Sequence, residues 1–206
     1  MSGTSPSAVP GPDGLPRCPW AVTAPEFPAY HDTEWEFPVA DDRRLFEKVS
    51  LEGFQSGLSW RTVLVKRPAF REVFADFDFH VVARYDERDV QRLLLDARII
   101  RHRGKIDAVV VNAGRAVELV EERGSLAAYF WSFEPPATEL GRPQTLTTSP
   151  AAIAMAKDLK RRGWRFVGPT TAFAFMQAMG LVNDHVVGCV TRDEVAAARR
   201  AFTPPA

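Results

Sequence analysis

Residues 156–180 read AKDLKRRGWRFVGPTTAFAFMQAMG. One helix runs into Lys160, Arg161 and Arg162 and stops at Gly163. The turn WRFVGP follows, and a second helix begins at Thr170 and Thr171. Gly168 permits a tight turn and the close approach of a ligand. The free amides at the start of the second helix favour an anion. Lys160, Arg161, Arg162 and Arg165 surround the turn with positive charge. Together these features suit a nucleic-acid phosphate. An ordinary helical hairpin with a solvated basic end has the same pattern. Both readings stand on these residues alone.

Outward from this unit, most segments carry helical periodicity. DDRRLFEKVSLEGFQSGL opens on a capping-type Asp. RPAFREVFADF starts near Arg67, with Pro68 in its first turn. DERDVQRLLLDA follows, then the long RGKIDAVVVNAGRAVELVEERG, closed by Gly124. SLAAYFWSF is short and aromatic. The helix after it begins at Ser149 with Pro150 in first position. Strand candidates are few and weak, and no internal repeat is visible. The spacing predicts an all-α domain over 17–195. Residues 1–16, rich in Ser, Gly and Pro, read as a disordered leader, and 196–206 as a loose tail.

The bulk numbers exclude several classes. The chain has 206 residues, 46% hydrophobic and 25% charged, with zero formal net charge. That is an ordinary globular composition. Only two cysteines occur, which argues against a disulfide scaffold and for a reducing compartment. No apolar run reaches the roughly 20 residues that span a bilayer. The N-terminus lacks the basic and apolar regions of a signal peptide. These features place the protein in the cytoplasm, away from membranes.

Three constellations carry chemistry. The first is an acid on an apolar helix line. Leu45, Val49, Glu52 and Ser56 fall at helical intervals, so Glu52 points inward with Leu45 and Val49. A carboxylate there is costly unless a partner or a ligand pairs with it. The second is aromatic: Trp20, Phe27, Tyr30 and Trp35 crowd one poorly periodic segment, and Trp60 closes the helix that carries Glu52. They form either a hydrophobic mini-core or a pocket that stacks a flat cation beside Glu52. The third is Cys18 and His31 near one end, with His185 and Cys189 near the other. Two sulfurs and two imidazoles make a closed tetrahedral zinc set, although buried thiols and satisfied histidines have the same spacing. A further basic run, RIIRHRGK (98–105), reads as a solvated helix start or a second phosphate contact. His80 and His102 have no such partners.

Long stretches carry a family likeness. RCPW (17–20), AYHDTEW (29–35), LFEKVSLEGFQSGLSWRTVL (45–64), IIRHRGKI (99–106) and FVGPTTAFAFMQAMGLVNDHVVGC (166–189) occur in the order and at the spacing of one family. The chain resembles DNA-3-methyladenine glycosylase I, the constitutive bacterial alkyladenine glycosylase, from about Arg17 to Val190. The resemblance implies a helix-hairpin-helix glycosylase fold with the unit at about 151–180. It implies one structural zinc on Cys18, His31, His185 and Cys189. It puts the acting residues of the base pocket on Glu52, Tyr30 and Trp60, with Trp20, Phe27 and Trp35 lining or supporting it. DNA contacts fall on Gly168, Thr170, Thr171 and Arg165, while Leu58 or Gln55 is placed to fill the gap left by a flipped base.

The implied reaction is excision of 3-methyladenine from alkylated double-stranded DNA by a monomer, with the free base as product. That base is already cationic in DNA and departs neutral, so no general acid is needed. Glu52 would accept from the adenine amino edge and Trp60 would stack on the ring. The chain departs from the family at Phe27, where tyrosine is usual, and at Glu36, where glycine is usual. Asn183 occupies the place of an Asp that other members of the superfamily use, with Asp184 beside it. A reading of another class is a zinc-stapled helical DNA-binding protein without catalysis, in which the aromatics are merely core.

Overall fold

A computed structural model describes residues 6–205, and residues 1–5 of the expected leader lie outside them. The described part of that leader is ordered into structure. Strand β1 (Val9–Pro10) pairs antiparallel with β2 (Pro16–Arg17). The cause is Arg17, a buried guanidinium bonded to Asp13 on one side and Asp32 on the other. Eleven helices follow among the described residues: α1 (Phe27–Thr33), α2 (Asp42–Gln55), α3 (Trp60–Leu64), α4 (Arg67–Val73), α5 (Phe79–Val82), α6 (Glu87–Leu95), α7 (Arg103–Arg123), α8 (Leu126–Trp131), α9 (Pro150–Arg161), α10 (Pro169–Ala178) and α11 (Arg192–Ala201). The all-α expectation holds, and no described helix is long and apolar enough to cross a membrane.

Local chemistry sets most of the boundaries. Asp41, Ser125 and Ser149 each accept from the backbone N–H three residues on, satisfying a donor the helix cannot use. Asp86 and Asp89 form a reciprocal capping box on α6. Two boundaries differ from expectation. Helix α2 stops at Gln55, so Ser56, Gly57 and Leu58 form an exposed loop. Helix α11 runs to Ala201, into the expected tail, because Phe202 packs on Trp131 with ring centroids 4.5 Å apart.

Helix α2 is the axis of the packing. All ten residues from Leu45 to Phe54 are buried. Phe54 meets Phe70 of α4, and Phe46 meets Phe77 and Phe79. Beneath α10, Phe175 packs on Phe130 of α8 with centroids 4.5 Å apart. Lys105, inside the run read as basic surface, is buried instead. Its ammonium donates to the carbonyls of Phe54 (2.8 Å) and Ser56 (2.5 Å). A cation on the last carbonyls of a helix is favourable electrostatically, and here it fixes where α2 ends. Its neighbours Arg98 and Arg103 are tied in ion pairs to Asp96, Glu72 and Glu87, and His102 caps α7.

The hairpin between α9 and α10 is held by Asn112 of α7. Its amide oxygen accepts from Arg165 N (2.8 Å) and its amide nitrogen donates to Arg165 O (3.0 Å). The tight turning is taken at Gly163 and Phe166, both with positive φ. Gly168 corrects the expectation: its φ of −71° is ordinary. What its missing side chain leaves is open space, since an added Cβ would meet nothing within 4 Å.

Gly180 is different. It has φ +83°, and a Cβ there would lie 2.5 Å from Pro38 N and 2.6 Å from Phe37 C. The α10 terminus thereby rests on the segment that leads from Trp35 into α2. Gly180→Ala is expected to cost about 2–4 kcal/mol in urea unfolding, from backbone strain and overpacking. Gly114→Ala, inside α7 with open space around it, is expected to be neutral or stabilising by up to about 1 kcal/mol.

Candidate active site

A pocket of about 380 Å³ opens between α1, α2, α3 and α10. Trp20, Phe27, Tyr30, Trp35 and Trp60 form its aromatic walls, with Lys48, Glu52, Gln55, Ser59, Ala174 and Gln177 completing it. The sequence-predicted aromatic residues therefore enclose a cavity beside Glu52 and do not fill it as core. Their rings are fixed edge to face or tilted against one another. Trp20 lies 5.6 Å from Phe27 and 4.9 Å from Trp35, and Tyr30 lies 5.3 Å from Trp60, centroid to centroid. Such contacts hold aromatic walls in place without filling the space between them.

Glu52 is the only acid lining this pocket among the described residues. Its partner is Lys48, one helical turn earlier, whose Nζ is 2.8 Å from Glu52 Oε1. The same ammonium donates to the Tyr30 hydroxyl at 2.9 Å and sits 3.4 Å from the Trp60 ring centroid. Lys48 was absent from the residues singled out in sequence, although its four-residue spacing from Glu52 was a usable signal. Burial lowers the Lys48 pKa, while Glu52 works against that shift. Burial also pushes the Tyr30 phenol well up, so it remains a neutral hydroxyl.

A second opening of about 400 Å³ shares Glu52, Gln55 and Ala174 with the first. It is lined as well by Ser56, Gly57, Leu58, Thr170 and Thr171. The α2–α3 loop and the N-terminus of α10 thus stand on either side of the pocket mouth. Leu58 is 41% exposed there. Arg165 is exposed on the hairpin. Arg161 and Arg162 are engaged by Asp158, and Arg162 also by Glu122, so part of the expected positive charge is neutralised internally.

Behind the pocket, Cys18, His31, His185 and Cys189 converge, all buried, with one ligand atom each inside a 4.8 Å span. Cys18 Sγ and Cys189 Sγ each lie 3.5 Å from His185 Nδ1, and Cys189 Sγ lies 3.5 Å from His31 Nε2. The edge of a tetrahedron with zinc–sulfur and zinc–nitrogen bonds is also about 3.5 Å. These four donors could hold a metal ion with no open position. His31 Nδ1 bonds Asp32 at 2.7 Å, and Asp32 accepts from Arg17. That bond leaves Nε2 free to face the cluster. Asp32 and Arg17 were missed in sequence because their value depends on where His31 points.

The two family departures have structural counterparts. Phe27 contributes a ring and no hydroxyl. Glu36 adopts φ +70°, where glycine is at ease. It is fully buried, and its carboxylate accepts from the backbone N–H groups of Asp184 (2.6 Å) and His185 (2.9 Å). Burial raises its pKa well above the usual range. Asn183 donates to Arg192 O. Asp184 accepts from Gln144 N and Gln177 Nε2, and neither residue lines the pocket.

Comparison with known proteins agrees with this geometry. The methyladenine glycosylase family model matches residues 20–192. DNA-3-methyladenine glycosylase 1 of Escherichia coli is 46% identical over 179 residues, covering 85% of this chain and 96% of the relative. DNA-3-methyladenine glycosylase of Haemophilus influenzae is 40% identical over 177 residues, covering 84% and 96%. The Staphylococcus aureus 3-methyladenine DNA glycosylase I, solved for its recognition of 3-methyladenine, superposes with a TM-score of 0.80 at 33% identity, covering 85% and 96%. With the matched region spanning the pocket, the hairpin and three of the four donors, all but Cys18, the chain belongs to the methyladenine glycosylase family.

Proposed function

We propose that this protein excises 3-methyladenine from alkylated double-stranded DNA, acting in the cytoplasm as a single chain. One observation carries the reading: a buried carboxylate stands inside an aromatic box large enough for a purine. Flat purine rings stack on such walls, and a carboxylate accepts from their amino edge. The base must leave the stack to enter. Leu58 and Gln55 stand at the mouth to occupy the gap, with Thr170, Thr171, Gly168 and Arg165 toward the backbone phosphates.

The bond broken is C1′–N9. Its electron pair stays on N9 and cancels the positive charge of the methylated base, which departs neutral. The sugar carries the charge until water adds at C1′ and gives up a proton, leaving an abasic site. No group in the pocket has to protonate the base. Trp60 stacks on the ring, Glu52 accepts from the exocyclic amino group, and Tyr30 holds the wall between them. The work left to the protein is selection, extrusion and orientation.

The four-donor cluster fits zinc by donor type and spacing. In this reading, the ion is structural: it ties α1 and the Cys18 segment to the loop before α11.

Three outcomes test these assignments. Glu52→Gln is expected to lower 3-methyladenine release from methylated DNA by about 10²-fold, with the fold retained at reduced stability because Lys48 loses its partner. Unchanged release, resolved by chromatography, would remove Glu52 from the site. Leu58→Ala is expected to slow release from duplex DNA about tenfold and leave free 3-methyladenine affinity unaltered; a parallel loss of both would make Leu58 structural. Metal analysis is expected to return one zinc per chain. Stripping it is expected to lower the melting temperature by about 10 °C, and a metal-free chain of full stability would refute the zinc assignment.

A further inference from the structure

An ammonium group has three N–H bonds to satisfy. In this structure Lys48 directs them at the Glu52 carboxylate, the Tyr30 hydroxyl and the Trp60 face, at 2.8, 2.9 and 3.4 Å. The side chain is nine-tenths buried, with 6% of its surface exposed. These three partners are the groups that the base-pocket reading assigns to the methylated purine. An acid alone in an aromatic box would hold a cation best. An acid already neutralised by a resident cation would not.

We propose that Lys48 is the specificity-determining cation of this pocket. It holds the cation position in the free protein, and a bound base shares Glu52 with it. The pocket therefore holds the neutral, departing base more tightly than the cationic, sugar-attached base. The proposal rests on the base-pocket reading above. Its physical basis is like-charge repulsion at contact distance, where little water remains to screen it. When C1′–N9 breaks, the positive charge moves from the base to the sugar. The repulsion by Lys48 then falls while the stacking and the Glu52 contact remain. An interaction that is worse before the bond breaks than while it is breaking accelerates the chemical step. Glu52 has a double role: it anchors Lys48 in the free protein and the amino edge of the base in the complex.

The test is calorimetric titration of the intact protein with two probes at neutral pH. One is 3-methyladenine, which is neutral. The other is 3,9-dimethyladeninium, a cation alkylated where the sugar would be attached. Wild type is expected to bind the neutral probe at least about tenfold more tightly than the cation. Lys48→Met is expected to shift that ratio about tenfold toward the cation, and Lys48→Arg, which keeps the charge, is expected to retain the wild-type preference. Equal binding of both probes by wild type would overturn the proposal. So would a ratio unmoved in Lys48→Met, or lost in Lys48→Arg. If Lys48→Met does not fold, wild type and Lys48→Arg still decide it. Failure of wild type to bind either probe would instead refute the base-pocket reading, and this proposal with it.

Discussion

From Leu45 to Phe54 helix α2 is buried on every side and yet carries Glu47, Lys48, Ser50 and Glu52. A helix buried all round is normally apolar all round, and each buried charge here demands a partner within reach. That demand arranges the molecule. Glu47 draws Arg67 and Arg71 from α4 into a pair of guanidinium contacts. Lys105 reaches across from α7 to the α2 C-terminal carbonyls. Glu52 takes Lys48 from its own helix, and Lys48 in turn takes Tyr30 from α1. Breaking any one of these leaves a desolvated charge, which costs more than losing a surface pair. The pocket exists because the last of these charges lies beside open space.

Helix α1 connects that pocket to the four-donor cluster. Tyr30 and His31 are consecutive, so their side chains leave the helix about 100° apart. One faces Lys48 and Trp60, the other faces Cys189 and His185. Trp35 bridges the two regions, packing 4.9 Å from Trp20 and 4.7 Å from His185. The wall of the pocket therefore packs directly on the four-donor cluster behind it. A short helix with little apolar periodicity could not hold Tyr30 in place by burial alone.

Much of this was legible in the sequence where the determinants are local. Ser149–Pro150 and the capping Asp at the head of α2 announce helix starts by side-chain chemistry that acts within one turn. The hairpin at 163–168 was legible for the same reason, although the residue taking the strained torsion was Phe166 and not the glycine that drew attention. What escaped was charge that is read as surface by default. Lys48 follows Glu47 and Lys105 ends a basic run, and a linear pattern assumes that each helix has a wet face; between Leu45 and Phe54 α2 has none. Asp13, Arg17 and Asp32 escaped because their network joins the leader to α1 through a buried guanidinium, a contact that exists only after folding. The cluster of Cys18, His31, His185 and Cys189 was visible as residue types. Its convergence from opposite ends of the chain came from the family likeness, since spacing alone left plain thiols and histidines open.

The acids near the pocket show how the chemistry is divided. Asp184 is pinned by Gln144 and Gln177, and Glu36 is folded back onto the backbone N–H groups before His185. Both act as local caps, and burial raises the pKa of each. Neither offers a carboxylate to the sugar. Glu52 remains, and its charge is already partly answered by Lys48. A reaction that needed an acid to drive off a poor leaving group would be badly served by this arrangement. A base that carries its own charge to the pocket and sheds it on leaving needs no such acid. It needs walls that fit its ring, a hydrogen-bond acceptor for its edge, and no strong well for its cationic form. In the proposed reading, the aromatic box, Glu52 and Lys48 would supply these three in that order.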